Sequence, residues 1–236
     1  MSSIHQALKS FLADAESLSV LTGAGVSTGS GIPDYRDRDG NWKNAEPIQF
    51  ADFVKSSDYR RRYWARSYVG WQRFSQARPN AAHRSLARLE STGKVDTVIT
   101  QNVDGLHSEA GSNQVIDLHG NLDRVICLNC ETLSSRTGHQ QRIREANIGW
   151  HAKVFSYKPD GDAELAADNY ASFKVPDCAA CGGMIKPDVV MFGEGVPKQR
   201  VDAAMAAVER SSALLVVGSS LMVFSGFRFA RHANAR

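Results

Sequence analysis

An α/β fold, in which a parallel, doubly wound sheet carries a smaller metal-binding unit, follows from three observations. Short apolar runs rich in Val and Ile alternate along the chain with longer helical stretches, the pattern that makes parallel sheets. A glycine-rich turn, Gly23-Ala24-Gly25-Val26-Ser27, directly follows the first of those runs. The chain's only four cysteines form two Cys-x-x-Cys pairs, Cys127/Cys130 and Cys178/Cys181.

Taken in order, Met1 to Ala15 places Ile4, Leu8, Phe11 and Leu12 at helical spacing, and this helix ends near Ser17. Leu18 to Thr22 reads as a short buried strand. Further strands are expected at Val95 to Thr100, Val115 to Leu118, Val189 to Phe192 and Ala213 to Val217. Helical stretches separate them at Phe53 to Phe74, Ala81 to Ser91 and Lys198 to Arg210. A short helix through Phe227 and Phe229 then runs to Arg236. A complete nucleotide-binding half would continue with another strand and helix, so the expectation is that the C-terminal end of this domain is missing. The domain division expected is 1–120 with 185–236 for the large unit and 121–184 for the small one.

Two cysteine pairs, each offering two thiolates from one turn, supply the four sulfur ligands of a closed tetrahedral zinc site. The alternatives are two disulfides or four buried thiols. No secretory signal precedes them, which favours one structural Zn2+ per chain, and four sulfurs leave no open position for catalysis. The stretch between the pairs, 131–177, is polar (Arg136, His139, Gln140, Gln141, Arg142, Asp160, Asp162) and reads as an irregular insertion. A net charge of +3 with scattered Lys and Arg leaves no nucleic-acid footprint, apart from the local cluster Arg60, Arg61, Arg62 and Arg66. No apolar run approaches the ~20 residues of a membrane span, and no targeting segment is visible, so a cytoplasmic protein is the default.

Three strand ends carry the candidate chemistry. The first glycine turn has Thr28 where a hydride-transfer dinucleotide fingerprint has its third glycine, which disfavours a dehydrogenase. Free amides at Ala24, Gly25 and Ser27 would still hold a pyrophosphate; the alternative is a plain turn. Gln101-Asn102-Val103-Asp104 follows the Val95 to Thr100 strand, so Asn102 and Asp104 either orient a ribose or carboxamide or make an Asx turn. His119-Gly120 follows the Val115 to Leu118 strand, where an imidazole is either a general base or a structural group. His107 is the competing histidine, with packing its expected role.

Taken together, Gly-Ala-Gly-Val-Ser, Gly31-Ile32-Pro33-Asp34-Tyr35-Arg36, Thr100 to His107, His119-Gly120, the cysteine pairs, Lys186 to Glu194 and Val217-Gly218-Ser219-Ser220-Leu221 resemble a sirtuin, from Thr22 to Gly226. Arg62 to Trp71 and Asp123 to Cys127 further resemble class II, the group containing the mitochondrial lipoamidase and ADP-ribosyltransferase sirtuin. The resemblance implies a Rossmann-like domain plus a small zinc domain. It implies NAD-dependent removal of acyl groups from lysine in proteins or peptides, releasing nicotinamide and O-acyl-ADP-ribose, with acyl groups other than acetyl among the candidates. Gly23, Ala24, Gly25, Asp34, Tyr35 and Arg36 would form the cofactor loop. Gln101, Asn102, Val103 and Asp104 would surround the nicotinamide and its ribose, with Asn102 and His119 catalytic and His119 the base. Gly218, Ser219 and Ser220 would contact the adenosine side. The substrate backbone would pair as an extra strand between Phe192-Gly193-Glu194 and Ser220-Leu221-Met222, next to Val190. The chain departs from many relatives at Tyr35 and Ser219, where Phe and Thr are common, and over Val223-Phe224-Ser225, where many place a proline.

Two alternatives accompany that reading: a mono-ADP-ribosyltransferase, and a non-catalytic NAD or acyl-peptide sensor. Acyl preference is expected to turn on Tyr63 and Arg66, three apart on one helix, in a Tyr-x-x-Arg spacing that resembles the class III pair that reads acidic acyl groups. The alternative is a surface arginine beside a tyrosine packed on the core.

Overall fold

Four parallel strands end side by side, and the residues just beyond those ends are the ones the sequence singles out. The computed structural model of the chain describes residues 3–35, 43, 47–166 and 170–236. Helix α1 (Ser3–Asp14) leads to β1 (Leu18–Thr22), buried along its whole length, and the glycine turn follows. Next come α2 (Phe50–Lys55), α3 (Ser57–Phe74), α4 (Ala81–Ser91), β2 (Val95–Thr100), the one-turn α5 (Leu106–Glu109) and β3 (Val115–Asp117). The middle of the chain forms β4 (Gly120–Cys127), β5 (Leu133–Ser135), α6 (Arg136–Ala146), β6 (Lys153–Tyr157), β7 (Ala163–Ala166) and β8 (Ile185–Val189). Helix α7 (Lys198–Arg210), β9 (Ala213–Val217) and α8 (Phe224–Asn234) complete the order.

The large sheet is parallel throughout, in the order β3-β2-β1-β9. Helices cover both faces, which is why its strands read as continuous apolar runs. On one face Leu21, Ile99 and Leu118 pack with Ala204, Ala207 and Val208 of α7 and Phe229 of α8. On the other, Leu18, Val20, Val95 and Val98 pack with Leu86 of α4 and with Phe11 and Leu12 from α1. The chain leaves β1 toward β2 on one side and returns as β9 on the other. Loops therefore diverge at the carboxyl end of β1, the switch point where open α/β sheets bind ligands.

Three expectations are corrected. The helix expected from Phe53 to Phe74 is two helices, because Ser56 is extended (φ −122°, ψ 125°) and its hydroxyl accepts from the Tyr59 amide to cap α3. The strand expected at Val189 to Phe192 lies earlier, at Ile185–Val189, and runs antiparallel to β4 in a separate sheet, β5-β4-β8. The apolar Val190-Met191-Phe192 run marks the chain leaving that sheet: Phe192 donates no strand pairing beyond a single parallel bridge to Gln49.

The third correction concerns the polar insertion, whose described residues form regular elements. It holds β5, α6 and the antiparallel hairpin β6-β7. Arg136 is fully buried, with its guanidinium 5.2 Å from the Trp64 ring and 5.0 Å from the Trp71 ring, both on α3. It also donates to the carbonyl and hydroxyl of Ser67. His139 packs on Trp64 with ring centroids 4.5 Å apart and the planes tilted by 59°. Residues that look solvent-facing in sequence are thus the bolts between α6 and α3. The hairpin docks on α3 at Gly70, where any Cβ would stand 2.3 Å from the Gly161 carbonyl oxygen.

The buried histidines leave a measurable trace. Burial, reinforced by the Arg136 and Arg142 charges, holds His139 down at about 3. An unfolded histidine titrates near 6.5, so between those values the unfolded chain binds the extra proton, and this contribution, complete above pH ~6.5, is lost as pH falls. His139→Gln should therefore show a shallower loss of urea midpoint than the parent between pH ~6.5 and ~4. Parallel slopes would show that His139 accepts its proton without cost to the fold.

Candidate functional site

Gly23, Gln101, His119 and Gly218 each follow the carboxyl end of one strand of the parallel sheet, so four loops meet at one edge. Close contact between two of those loops needs glycine. A Cβ on Gly25 would lie 2.8 Å from the Gly218 carbonyl oxygen, and one on Gly218 (φ +61°) would lie 2.3 Å from the Val26 amide nitrogen. The Gly25 amide donates to the Gly218 carbonyl (2.8 Å) and the Ser27 amide to the Ala24 carbonyl (3.1 Å). Of the three amides expected to hold a phosphate, Gly25 is thus committed across to the loop after β9 and Ser27 inside its own turn.

Beneath the turn lies a polar network. Ser27, almost fully buried, donates to Asp104 at 2.6 Å and accepts from Asn102 Nδ2 at 3.0 Å. Asn102 Nδ2 also reaches the Gly23 carbonyl at 3.2 Å. Asp104 uses its second oxygen to accept the Leu106 amide (3.0 Å), so the Asx turn and the polar site are one structure. Gln101 donates from Nε2 to Ser219 Oγ (2.8 Å) and to the Thr22 carbonyl (3.2 Å). Val103 accepts the Leu122 amide through its carbonyl at 2.9 Å. Asp34 pairs with Lys43, Tyr35 meets the Phe192 ring edge-on at 6.1 Å, and Arg36 lies outside the described residues.

His119 is held at both nitrogens. Nδ1 stands 2.9 Å from the Gln101 carbonyl oxygen, which can only accept, so Nδ1 carries the hydrogen and Nε2 the lone pair. Nε2 stands 2.8 Å from Ser225 Oγ. Burial, with the Arg200 charge adding to it, keeps the ring's pKa below 6.5 against the opposing pull of the Gln101 carbonyl. The result is a neutral, oriented base at neutral pH. The His119 carbonyl accepts the Val190 amide at 2.7 Å, which ties the base to the chain leaving β8.

His107 behaves as the packing residue the sequence suggests. It is buried, bonded through Nε2 to Thr22 Oγ1 (2.9 Å), and burial, then the neighbouring His83, holds its pKa near 3. His83 is a site residue the sequence reading missed. Its ring lies against His107 with centroids 4.8 Å apart, its Nδ1 accepts from the Asn80 amide (3.2 Å), and its Nε2 stands 3.5 Å from Ser27 Oγ. The Asn80-x-x-His83 spacing of a capping box was the available signal.

Tyr63 and Arg66 are both buried, and neither is a surface residue. Tyr63 packs edge-on against Phe53 and Trp64. Arg66 donates through Nε to the Ala163 carbonyl and pairs with Asp162 and Glu164, each at 3.1 Å, so the tip of the β6-β7 hairpin supplies its carboxylates. Lys158 shares Glu164 at 2.9 Å. On the far side, Glu194 accepts the Met191 amide (2.8 Å) and pairs with Lys186 (3.1 Å), Gly193 adopts φ +77°, and the Phe192 carbonyl accepts the Phe50 amide at 2.8 Å.

The four cysteine sulfurs lie within 4.8 Å of one another, with Cys127 and Cys181 3.5 Å apart and Cys130 and Cys178 3.8 Å apart. Those separations are far beyond an S–S bond of ~2.05 Å and match the edges of a tetrahedron with ~2.3 Å zinc–sulfur bonds. Backbone turns fix each pair: the Cys178 amide donates to the Gly183 carbonyl and the Glu131 amide to the Cys127 carbonyl. The cluster is a structural zinc site, one per chain.

Residues 23–225 match the Sir2 family. The chain belongs to that family. The Sir2 relatives include an NAD-dependent protein deacetylase 2 of Bradyrhizobium diazoefficiens, 54% identical over 232 residues, covering 98% of this chain and 85% of the relative. An NAD-dependent protein deacetylase of Bordetella bronchiseptica is also 54% identical, over 97% of this chain and 83% of its own length. Among solved structures, a Sir2 protein with a p53 peptide and NAD+ superposes with a TM-score of 0.77 at 29% identity, covering all of this chain and 83% of the other. Another, a Sir2 protein bound to acetylated peptide, gives 0.74 at 28% identity with the same coverage.

Proposed function

We propose that this Sir2 protein is an NAD-dependent protein-lysine deacylase, releasing nicotinamide and O-acyl-ADP-ribose. The observation that carries the proposal is His119: a buried, neutral imidazole with its tautomer set by the Gln101 carbonyl, at the carboxyl edge of the sheet and beside the Asn102-Ser27-Asp104 network. The relatives' described activity, NAD-dependent protein deacetylation, supports the same reading.

NAD+, when bound, supplies the ribosyl carbon that parts from nicotinamide and takes up the acyl oxygen. The glycine contacts at 23, 25 and 218 hold the loops after β1 and β9 against each other as the wall such a dinucleotide would lie on, and Ser219 and Ser220 flank it on the β9 side. Ala24, Asp34, Tyr35 and Arg36 would close over it. Asn102, Gln101, Val103 and Asp104 hold polar groups toward the base and its sugar, and exclude bulk water there. His119 is the final acceptor of the proton that leaves a sugar hydroxyl as that oxygen becomes the nucleophile. An extended acyl-lysine peptide would dock between Phe192-Gly193-Glu194 and Ser220-Leu221-Met222, where Met222, Val223 and Phe224 form an exposed apolar edge.

A class II placement and a preference for acyl groups beyond acetyl belong to the same proposal. Tyr63 and Arg66 remain the residues we assign to acyl selection, and Arg66 would have to exchange Asp162 or Glu164 for a substrate carboxylate. A panel of acetyl, lipoyl, succinyl, glutaryl and hydroxymethylglutaryl lysine peptides tests both levels. Nicotinamide release is expected only with NAD+ and acyl peptide together, and label found on protein instead of O-acyl-ADP-ribose would point to the transferase. Arg66→Met should cost acidic acyl peptides the ~1.5–3 kcal/mol of a charged hydrogen bond and spare acetyl peptide. Equal losses would make Arg66 a partner of the hairpin alone.

A further inference from the structure

Both ring nitrogens of His119 are held by two elements that press on each other. The Gln101 carbonyl takes the Nδ1 hydrogen, and Ser225, the second residue of α8, stands on Nε2 at 2.8 Å. Those elements touch at Gly226, where a Cβ would lie 2.4 Å from Gln101 Oε1, so the first turn of α8 is seated against the residue that fixes the ring. Val223, the residue capping α8, offers no side-chain cap. The Ser225 hydroxyl, which early in a helix would commonly serve backbone amides, is turned to the imidazole.

A neutral imidazole has one lone pair, in the ring plane at Nε2. Because Nδ1 holds the hydrogen, Ser225 must be the donor in this contact. The one position through which His119 can receive a proton is therefore occupied by a hydroxyl that both donates and accepts. The charged and polar groups felt at the ring are Arg200 from α7 and the Gln101 carbonyl after β2, and neither replaces that role.

We propose that Ser225 is a further catalytic residue, a proton relay between the attacking sugar hydroxyl and His119. As the sugar oxygen forms its bond to the acyl carbon of the cationic imidate, the C=N π bond breaks and its pair returns to the lysine nitrogen, while the sugar proton passes to Ser225 Oγ and the Ser225 proton passes to His119 Nε2. Serine is regenerated, one O–H is broken and one N–H is made, and the positive charge rests on the imidazolium. Nicotinamide departure precedes this transfer and does not use it. The relay rests on the deacylase reading.

The test compares the parent with Ser225→Ala and Ser225→Thr. In the protein without substrates, the nitrogen-15 resonance of His119 Nε2 should move in Ser225→Ala and stay near the parent's in Ser225→Thr. With NAD+ and acetyl peptide, Ser225→Ala should lose about tenfold or more in acyl removal, with both KM values held, while exchange of labelled nicotinamide stays within about twofold. Ser225→Thr should keep most of the acyl removal. Adding Ser225→Ala to His119→Ala should cost nothing further. An unmoved Nε2 resonance, undiminished acyl removal, or parallel loss of removal and exchange would each overturn the relay while an active parent leaves the deacylase intact. An inert parent would overturn both.

Discussion

Cys178→Ser is expected to dismantle the small unit and, through it, the activity. Each Cys-x-x-Cys turn supplies two of four sulfurs, and structural zinc contributes on the order of 10 kcal/mol or more of folding free energy in small domains. Cys178 also sits in the same apolar cluster as Trp64, Val125, Ile143 and Ile185, so losing the metal opens the core shared with α3. The damage reaches the base along a short route, from β8 through the Val190 amide to the His119 carbonyl. The measurement is zinc content against protease sensitivity within 131–177. The parent should carry one zinc and resist, and Cys178→Ser or the chelated parent should be cut there and inactive. A metal-free chain that resists protease and keeps full turnover would refute the structural role.

His119→Ala should lower the rate of acyl removal by about 10²- to 10⁴-fold, the usual worth of a positioned general base, or about 3–5 kcal/mol of barrier. Binding of NAD+ should change little, because the residues proposed to hold the dinucleotide, at the glycine contacts and the Ser27-Asp104 pair, do not include the imidazole. Exchange of labelled nicotinamide should survive, since that step needs no base. The discriminating readout is the ratio of exchange to acyl removal. A fall in both by the same factor would place His119 among the groups that merely shape the pocket.

Much of the fold was written in local pattern. The strands at Leu18–Thr22, Val95–Thr100 and Ala213–Val217, and the helices at Ala81–Ser91 and Lys198–Arg210, stand at the expected residues. Each is apolar at the period its packing demands. What failed was decided by distant partners. Ile185–Val189 is a strand containing Lys186, Pro187 and Asp188, a run no propensity favours, and it forms because β4 lies beside it and Arg124 and Arg200 satisfy Asp188 at 3.0 Å. Arg136 and His139 read as solvent-facing because nothing nearby in sequence shows that Trp64 and Trp71 wait on α3. The strand-end motifs do come together at one sheet edge, but Ser225 and His83 reach it across 106 and 56 residues of chain, a relation only the folded molecule displays.

The tryptophans that clasp Arg136 also make the molecule optically lopsided. Of the chain's four tryptophans, Trp64 and Trp71 flank that guanidinium and Trp150 packs on Phe173 in the same cluster, while Trp42 lies outside the described residues. None of those three touches the parallel sheet's two apolar layers. The emission of these three is therefore a gauge of the contacts that join α3 to the cysteine-bearing segment, and the part of an unfolding curve they carry reports the loosening of those contacts.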